Sequence, residues 1–169
     1  DGDGVGDNAE TIADISKWVI SGSESFDYSN NNGRRSIGEN PYYFESAWSV
    51  CSSTCIWTYN DPASIVGVAL ALGVSQASQI TDASTYDMSF RARQAQEGEF
   101  VILKNTGGYF AALKIIQVED RTRPSDSADM LTFEYYIQTN GTSDFSNGSD
   151  STEPLGTDDD GDGVPNIDD

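Results

Sequence analysis

The stretch MLTFEYYIQ, Met130–Gln138, alternates along its whole length: Leu131, Phe133, Tyr135 and Ile137 fall on one face, Thr132, Glu134, Tyr136 and Gln138 on the other. Successive side chains of an extended chain point to opposite sides, so this pattern predicts a strand with one face on a core. Working outward, similar short runs recur: YFAALKIIQV (109–118), EFVILK (99–104), YDMSFRAR (86–93), SIVGVALAL (64–72), CIWTYN (55–60) and YYFESAWS (42–49). Asn105-Thr106-Gly107-Gly108 joins two of them as a hairpin connection. TIADISKWVI (11–20) reads as a short helix or a leading strand, and the Asn- and Gly-rich DYSNNNGRRSIGENP (27–41) as a loop. About eight strands and little helix predict a mainly β fold: a single β-sandwich or small β-barrel domain.

Composition narrows the partners. The chain has 169 residues and a formal charge of −19 from 28 acids and nine bases. Four of the acids lie in residues 1–10 and six in residues 158–169, so the ends are the most acidic parts. Nucleic acid and anionic membrane surfaces are disfavoured, because both are bound by clustered Lys and Arg. No apolar run approaches the roughly 18 residues of a spanning helix, the longest being 65–72, so no membrane insertion is expected. The chain has no His, which excludes His-based triads and the usual zinc sites. Cys51 and Cys55 are the two cysteines, read as a small disulfide loop or as two thiols. As a disulfide, so short a loop is worth about 2 kcal/mol in the chain-entropy picture.

The ends carry the sharpest motif. Counted from Asp158, oxygen donors fall at loop positions 1, 3 and 5 (Asp158, Asp160, Asp162), 7 (the Val164 carbonyl), 9 (Asn166) and 12 (Asp169). Gly163 takes the turn at position 6. Alternating oxygens on a tightly turning backbone converge on one hard cation, the arrangement of an EF-hand-like Ca2+ loop. Asp1, Asp3, Val5, Asp7 and Glu10 repeat the pattern without its first ligand. These two segments, DGDGVGDNAE and DDDGDGVPNIDD, resemble the thrombospondin type 3 repeat. The resemblance implies calcium binding and a stiff linker in a secreted or cell-surface protein, in bacteria often an adhesin or a polysaccharide-degrading enzyme. The expected organisation is therefore a partial calcium loop (1–10), a β domain (11–145), a flexible linker (146–157) and a second calcium loop (158–169). The linker belongs to a Ser-, Thr-, Asn- and Gly-rich tail, TNGTSDFSNGSDSTEPLGT, that begins at residue 139.

Within the β domain the candidate ligand-binding residues are aromatic and cationic. If Ile56 and Thr58 face one way, Trp57 and Tyr59 project together from the other side, about 6.5–7 Å apart. Rings at that spacing suit stacking on sugar faces, although the same face can instead pack against a second sheet. Tyr43 and Trp48 are further candidates of this kind. Arg91 and Arg93, two apart, form either a cationic stripe suited to an anionic glycan or pairs with local acids such as Asp87, Glu97, Glu119 and Asp120. Glu45, Glu97, Glu99 and Glu134 suit glycoside hydrolysis by residue type alone, and no catalytic set is assigned. The function expected is a non-catalytic, monomeric carbohydrate-binding module within a larger protein, its partners a polysaccharide and the chain's other domains. The alternatives are a structural or adhesin domain that binds protein or acts as a spacer, and a polysaccharide hydrolase or lyase.

Calorimetry of the whole chain should register calcium uptake, with dissociation constants of about 0.1–1 mM as in extracellular modules. Absence of uptake at millimolar calcium would remove the metal assignment.

Overall fold

The computed structural model describes residues 19–120 and 129–146. Nine strands are described: β1 (Val19–Asp27), β2 (Arg34–Ile37), β3 (Phe44–Val50), β4 (Cys55–Tyr59), β5 (Ile65–Ala71), β6 (Ala92–Gln96), β7 (Phe100–Asn105), β8 (Phe110–Glu119) and β9 (Met130–Gln138). They form two antiparallel sheets, one ordered β1-β9-β8-β7-β5 and the other β2-β3-β4-β6. Neither sheet closes on itself, which excludes the barrel. The other described elements are three single-turn 3-10 segments. Among the described residues no helix is long and apolar enough to cross a membrane.

The alternation that predicts β9 is what seats it. Leu131, Phe133 and Ile137 enter a core shared by both sheets, with Val101 and Leu103 from β7, Leu113 and Ile115 from β8, and Phe44, Trp48 and Ile56 from the smaller sheet. Trp48 is the main bridge: its ring stacks on Phe133 at 5.6 Å between centroids. Its indole N–H donates to Ser46 Oγ at 2.7 Å, and that hydroxyl donates to the Arg35 carbonyl, so a polar edge in the core is satisfied.

β7 as far as Leu103 and β8 as far as Leu113 are apolar on both faces, and there both faces are covered. Phe100, Ile102, Phe110 and Ala112 point away from the first core into a second cluster. That cluster is closed by Ala77, Ile80 and Ala83 of the β5–β6 connection and by Phe145. The Phe145 N–H donates to the Ile80 carbonyl at 2.9 Å, and Lys114 Nζ holds the Ser75 carbonyl at 2.9 Å. Thr139–Phe145 therefore belongs to the fold, although its composition is that of the linker.

Two further expectations are corrected, and one alternative is decided. The stretch 27–41, read as a loop, contains β2; Gly33 before it has φ +69°, and a Cβ there would lie 1.9 Å from the Trp48 carbonyl oxygen. The strand placed at 86–93 begins only at Ala92, residues 86–91 lying in the connection. Of the two readings of the leading element, its described end is a strand, which starts at Val19, runs on to Asp27 and pairs with β9. Residues 11–18 and both Asp-rich loops lie outside the described residues.

Short polar motifs shape the turns. Asp27, Asp82, Asp87, Asn140 and Asp144 each accept the backbone N–H two residues on, at a Ser or Thr. Asn105 opens the β7–β8 hairpin: its Oδ1 accepts from Gly107 N and Tyr109 N, both at 3.0 Å. Its Nδ2 donates to the Pro41 and Tyr43 carbonyls at 3.1 and 3.2 Å, bracing the chain entering β3. The residue is 3% exposed, so these groups have little recourse to water.

Asn105→Asp replaces the donor that faces two carbonyls by a carboxylate oxygen. Chemical denaturation should show a loss of about 3 kcal/mol, against less than about 0.5 kcal/mol for the neighbouring exposed Thr106→Ala. Equal, small losses would contradict the bracing role.

Candidate functional site

β4 alternates, and the structure assigns its faces. Ile56 and Thr58 are buried towards the core, whereas Trp57 and Tyr59 lie on the opposite, outer face and remain half-exposed. Of the two readings of this pair, projection from the outer face is the one observed.

The neighbouring strands keep that face low around the rings. Trp57 pairs across with Ser49 on β3 and Gln94 on β6, and Tyr59 with Ala92 on β6. The Tyr59 hydroxyl and Ser49 Oγ are hydrogen bonded at 2.8 Å, which fixes the phenol over β3. Tyr43, also half-buried, shares a 2.9 Å hydroxyl contact with Ser36. Behind Trp57, Cys51 and Cys55 are joined as a disulfide, and Gln94 Nε2 lies 2.9 Å from Cys51 Sγ. The bridge closes the β3–β4 turn at one end of the aromatic row. The disulfide reading of the cysteines is thus the observed one.

Ion pairs frame the other end. Arg34 on β2 pairs with Glu45 on β3 at 3.2 Å. Arg91 grips Asp61 with two parallel bonds of 2.8 Å, from Nε to Oδ1 and from a terminal nitrogen to Oδ2. The bond from Arg91, with lesser help from the Arg91 and Arg34 charges, holds the Asp61 carboxyl below its usual range, and the same bond pushes Arg91 up. Asp61 is thus within electrostatic reach of both guanidinium groups, and Arg91 of Tyr59.

The remaining candidates fall elsewhere. Trp48 is 3% exposed and fully engaged in the core, so it offers no face to a ligand. Tyr136, on the Thr132–Gln138 face of β9, is likewise no ligand platform, being buried in the second cluster. Arg91 and Arg93 do not make a free cationic stripe. Arg93 donates to the Asp87 carbonyl at 2.5 Å, pairs with its carboxylate at 3.2 Å and stacks on Phe90 at 4.1 Å. Pairing with local acids is what the structure has. The four Glu residues are held in local contacts: Glu97 accepts Val118 N, Glu99 accepts Gln96 N, Glu134 accepts the Tyr136 hydroxyl and Glu45 holds Arg34. The calcium-loop residues lie outside the described part, within which no group of three His, Cys, Asp or Glu is placed to hold a metal.

Sequence reasoning finds the rings but misses their frame. Glu45 and Asp61 meet guanidinium groups 11 and 30 residues away, a pairing that only the strand register creates. A separate groove of about 490 Å³, lined by Val66, Tyr86, Met88, Lys104 and Phe110 among others, opens beside the larger sheet. It contains none of the candidate residues. Comparison of the sequence with protein-family models and with curated proteins finds no match.

The Asp61–Arg91 pair makes a pH-dependent contribution whose sign is fixed. A carboxyl with a lowered folded pKa stabilises above its unfolded value, about 3.9, and that stabilisation is lost as pH falls through the folded pKa. Asp61→Asn should therefore melt below the parent at pH 7, by a small margin because the pair is exposed. In melts at stepped pH the gap should close below about pH 4. A gap independent of pH would contradict the assignment.

Proposed function

We propose that this chain is a non-catalytic carbohydrate-binding β-sandwich module that holds a polysaccharide on the outer face of its smaller sheet. One observation carries the reading: Trp57 and Tyr59 stand side by side on a solvent-facing strand, flanked by small or polar neighbours, where the core does not need them. A half-exposed ring on the outer face of a sheet presents an apolar surface matched to the C–H face of a pyranose. Hydroxyl and charged groups at its margin suit the sugar's rim.

The setting we infer agrees with this role. The Asp-rich segments at both ends resemble calcium-binding linker repeats, and a disulfide suits an oxidising compartment. In this reading the module is part of a secreted or surface-attached protein, bacterial by the resemblance, with Ca2+ stiffening the connections to its other domains. Affinity for one module is modest, because a shallow platform leaves much of each sugar wet and several modules add by multivalency.

The test is a glycan array with the soluble, calcium-loaded chain, followed by calorimetry on the hits. Trp57→Ala should weaken binding about tenfold or more, equivalent to about 1.4 kcal/mol, with an almost unchanged melting temperature. Trp48→Ala, the core control, should lose about 3–5 kcal/mol of stability. A Trp57→Ala chain that folds normally and binds as before would overturn the reading.

A further inference from the structure

The charge of the ligand follows from how the cations are already used. The described residues include four Arg, and each has a carboxylate partner: Arg34 with Glu45, Arg35 with Glu24, Arg91 with Asp61 and Arg93 with Asp87. The two described Lys, Lys104 and Lys114, lie on β7 and β8 of the other sheet. Lys104 sits over the Phe110 ring and Lys114 is tied to the Ser75 carbonyl. Among the described residues, therefore, the outer face beside Trp57 and Tyr59 has no uncompensated cation. An anion arriving there meets two neutral ion pairs and the repulsion of a chain that, outside the Asp-rich ends, still has 18 acids against nine bases.

A neutral ion pair is nonetheless a good partner for a diol. A guanidinium has five N–H donors and a carboxylate about four acceptor sites, of which the Arg91–Asp61 fork uses two of each. The remaining donors and acceptors stand next to one another. Adjacent sugar hydroxyls need this combination, since one donates to carboxylate while its neighbour accepts from guanidinium. Because the partners already fix each other, little additional side-chain order is lost on binding.

We propose that the outer face selects a neutral glycan with adjacent free hydroxyls, gripped at the Arg91–Asp61 and Arg34–Glu45 pairs while its ring faces lie on Trp57 and Tyr59. This rests on the platform reading above and adds the ligand class. Glu45 and Asp61 are then specificity-determining residues, although neither is aromatic or cationic.

The experiment measures binding of a neutral oligosaccharide series and a polyuronate of matched length by calorimetry, at low and high salt. The parent chain should bind a neutral glycan with an affinity that shifts less than about twofold between the two salts, since screening acts on charged contacts. Polyuronate should bind at least about tenfold more weakly, a 1.4 kcal/mol difference. Asp61→Asn removes the acceptor and frees the Arg91 charge. It should weaken the neutral glycan and strengthen polyuronate, the latter gain disappearing at high salt. Salt-sensitive preference of the parent for polyuronate, abolished by Trp57→Ala, would overturn the neutral-ligand inference and leave the platform standing. No binding of any glycan would overturn both.

Discussion

β7 as far as Leu103 and β8 as far as Leu113 have no polar face to turn to water. Phe100 and Ile102 point one way from β7, Val101 and Leu103 the other, and all four are fully buried. A sheet with such strands at its middle must be covered twice, because each face left wet would forgo roughly 25 cal/mol per Å2 of apolar surface. One cover is the four-stranded sheet, docked through Trp48 on Phe133. The other is the long β5–β6 connection together with Phe145. Once both are in place, the outer face of the smaller sheet, like the larger sheet's outer face around Ser23, Ser25 and Gln117, is left without a second layer among the described residues. Tyr43, Trp57 and Tyr59 stand there half-exposed.

The same constraint explains which parts of the fold are legible in the sequence. β9 alternates because one of its faces is the core, and β7 and β8 are recognisable as apolar runs bounded by turn residues. β2 and the run of β1 beyond Ile20 escape notice because they are edge strands with almost no apolar signal. Of β2 only Ile37 is a buried apolar residue, and of β1 only Phe26. Their positions come instead from backbone pairing and from Arg35, which reaches across to Glu24 with its guanidinium 5.7 Å from the Phe26 ring. Polar and charged edges of this kind also discourage pairing with other chains. Phe145 is hidden for a related reason: one buried ring in a Ser-, Asn- and Gly-rich stretch leaves the composition of a linker unchanged.

Legibility of the site divides in the same way. Alternation within CIWTYN places Trp57 and Tyr59 on one face, but only the packing of Ile56 and Thr58 says which face meets water. Trp48, of the same residue type and nine positions away, is core. Composition distinguishes none of these three aromatics from the others. The ion pairs that frame the rings are set by register between β2 and β3 and by the turn beyond β4, so their partners are invisible to a reading of the chain in order. Sequence does expose Arg91 and Arg93 as a close pair, yet not that each of the four described arginines is neutralised by a carboxylate of the fold.

In the proposed reading, the aromatic row provides contact area by stacking, and the charge-neutral ion pairs beside it orient the ligand without favouring charge. The most direct measurement is amide chemical-shift mapping of the calcium-loaded chain during titration with a neutral oligosaccharide. The account predicts perturbations concentrated at Tyr43, Glu45, Ser49, Trp57, Tyr59, Asp61 and Gln94, with the core around Phe133 undisturbed. Perturbations centred on Tyr86, Met88, Lys104 and Phe110 would contradict it, moving recognition from the aromatic face to the groove beside the larger sheet.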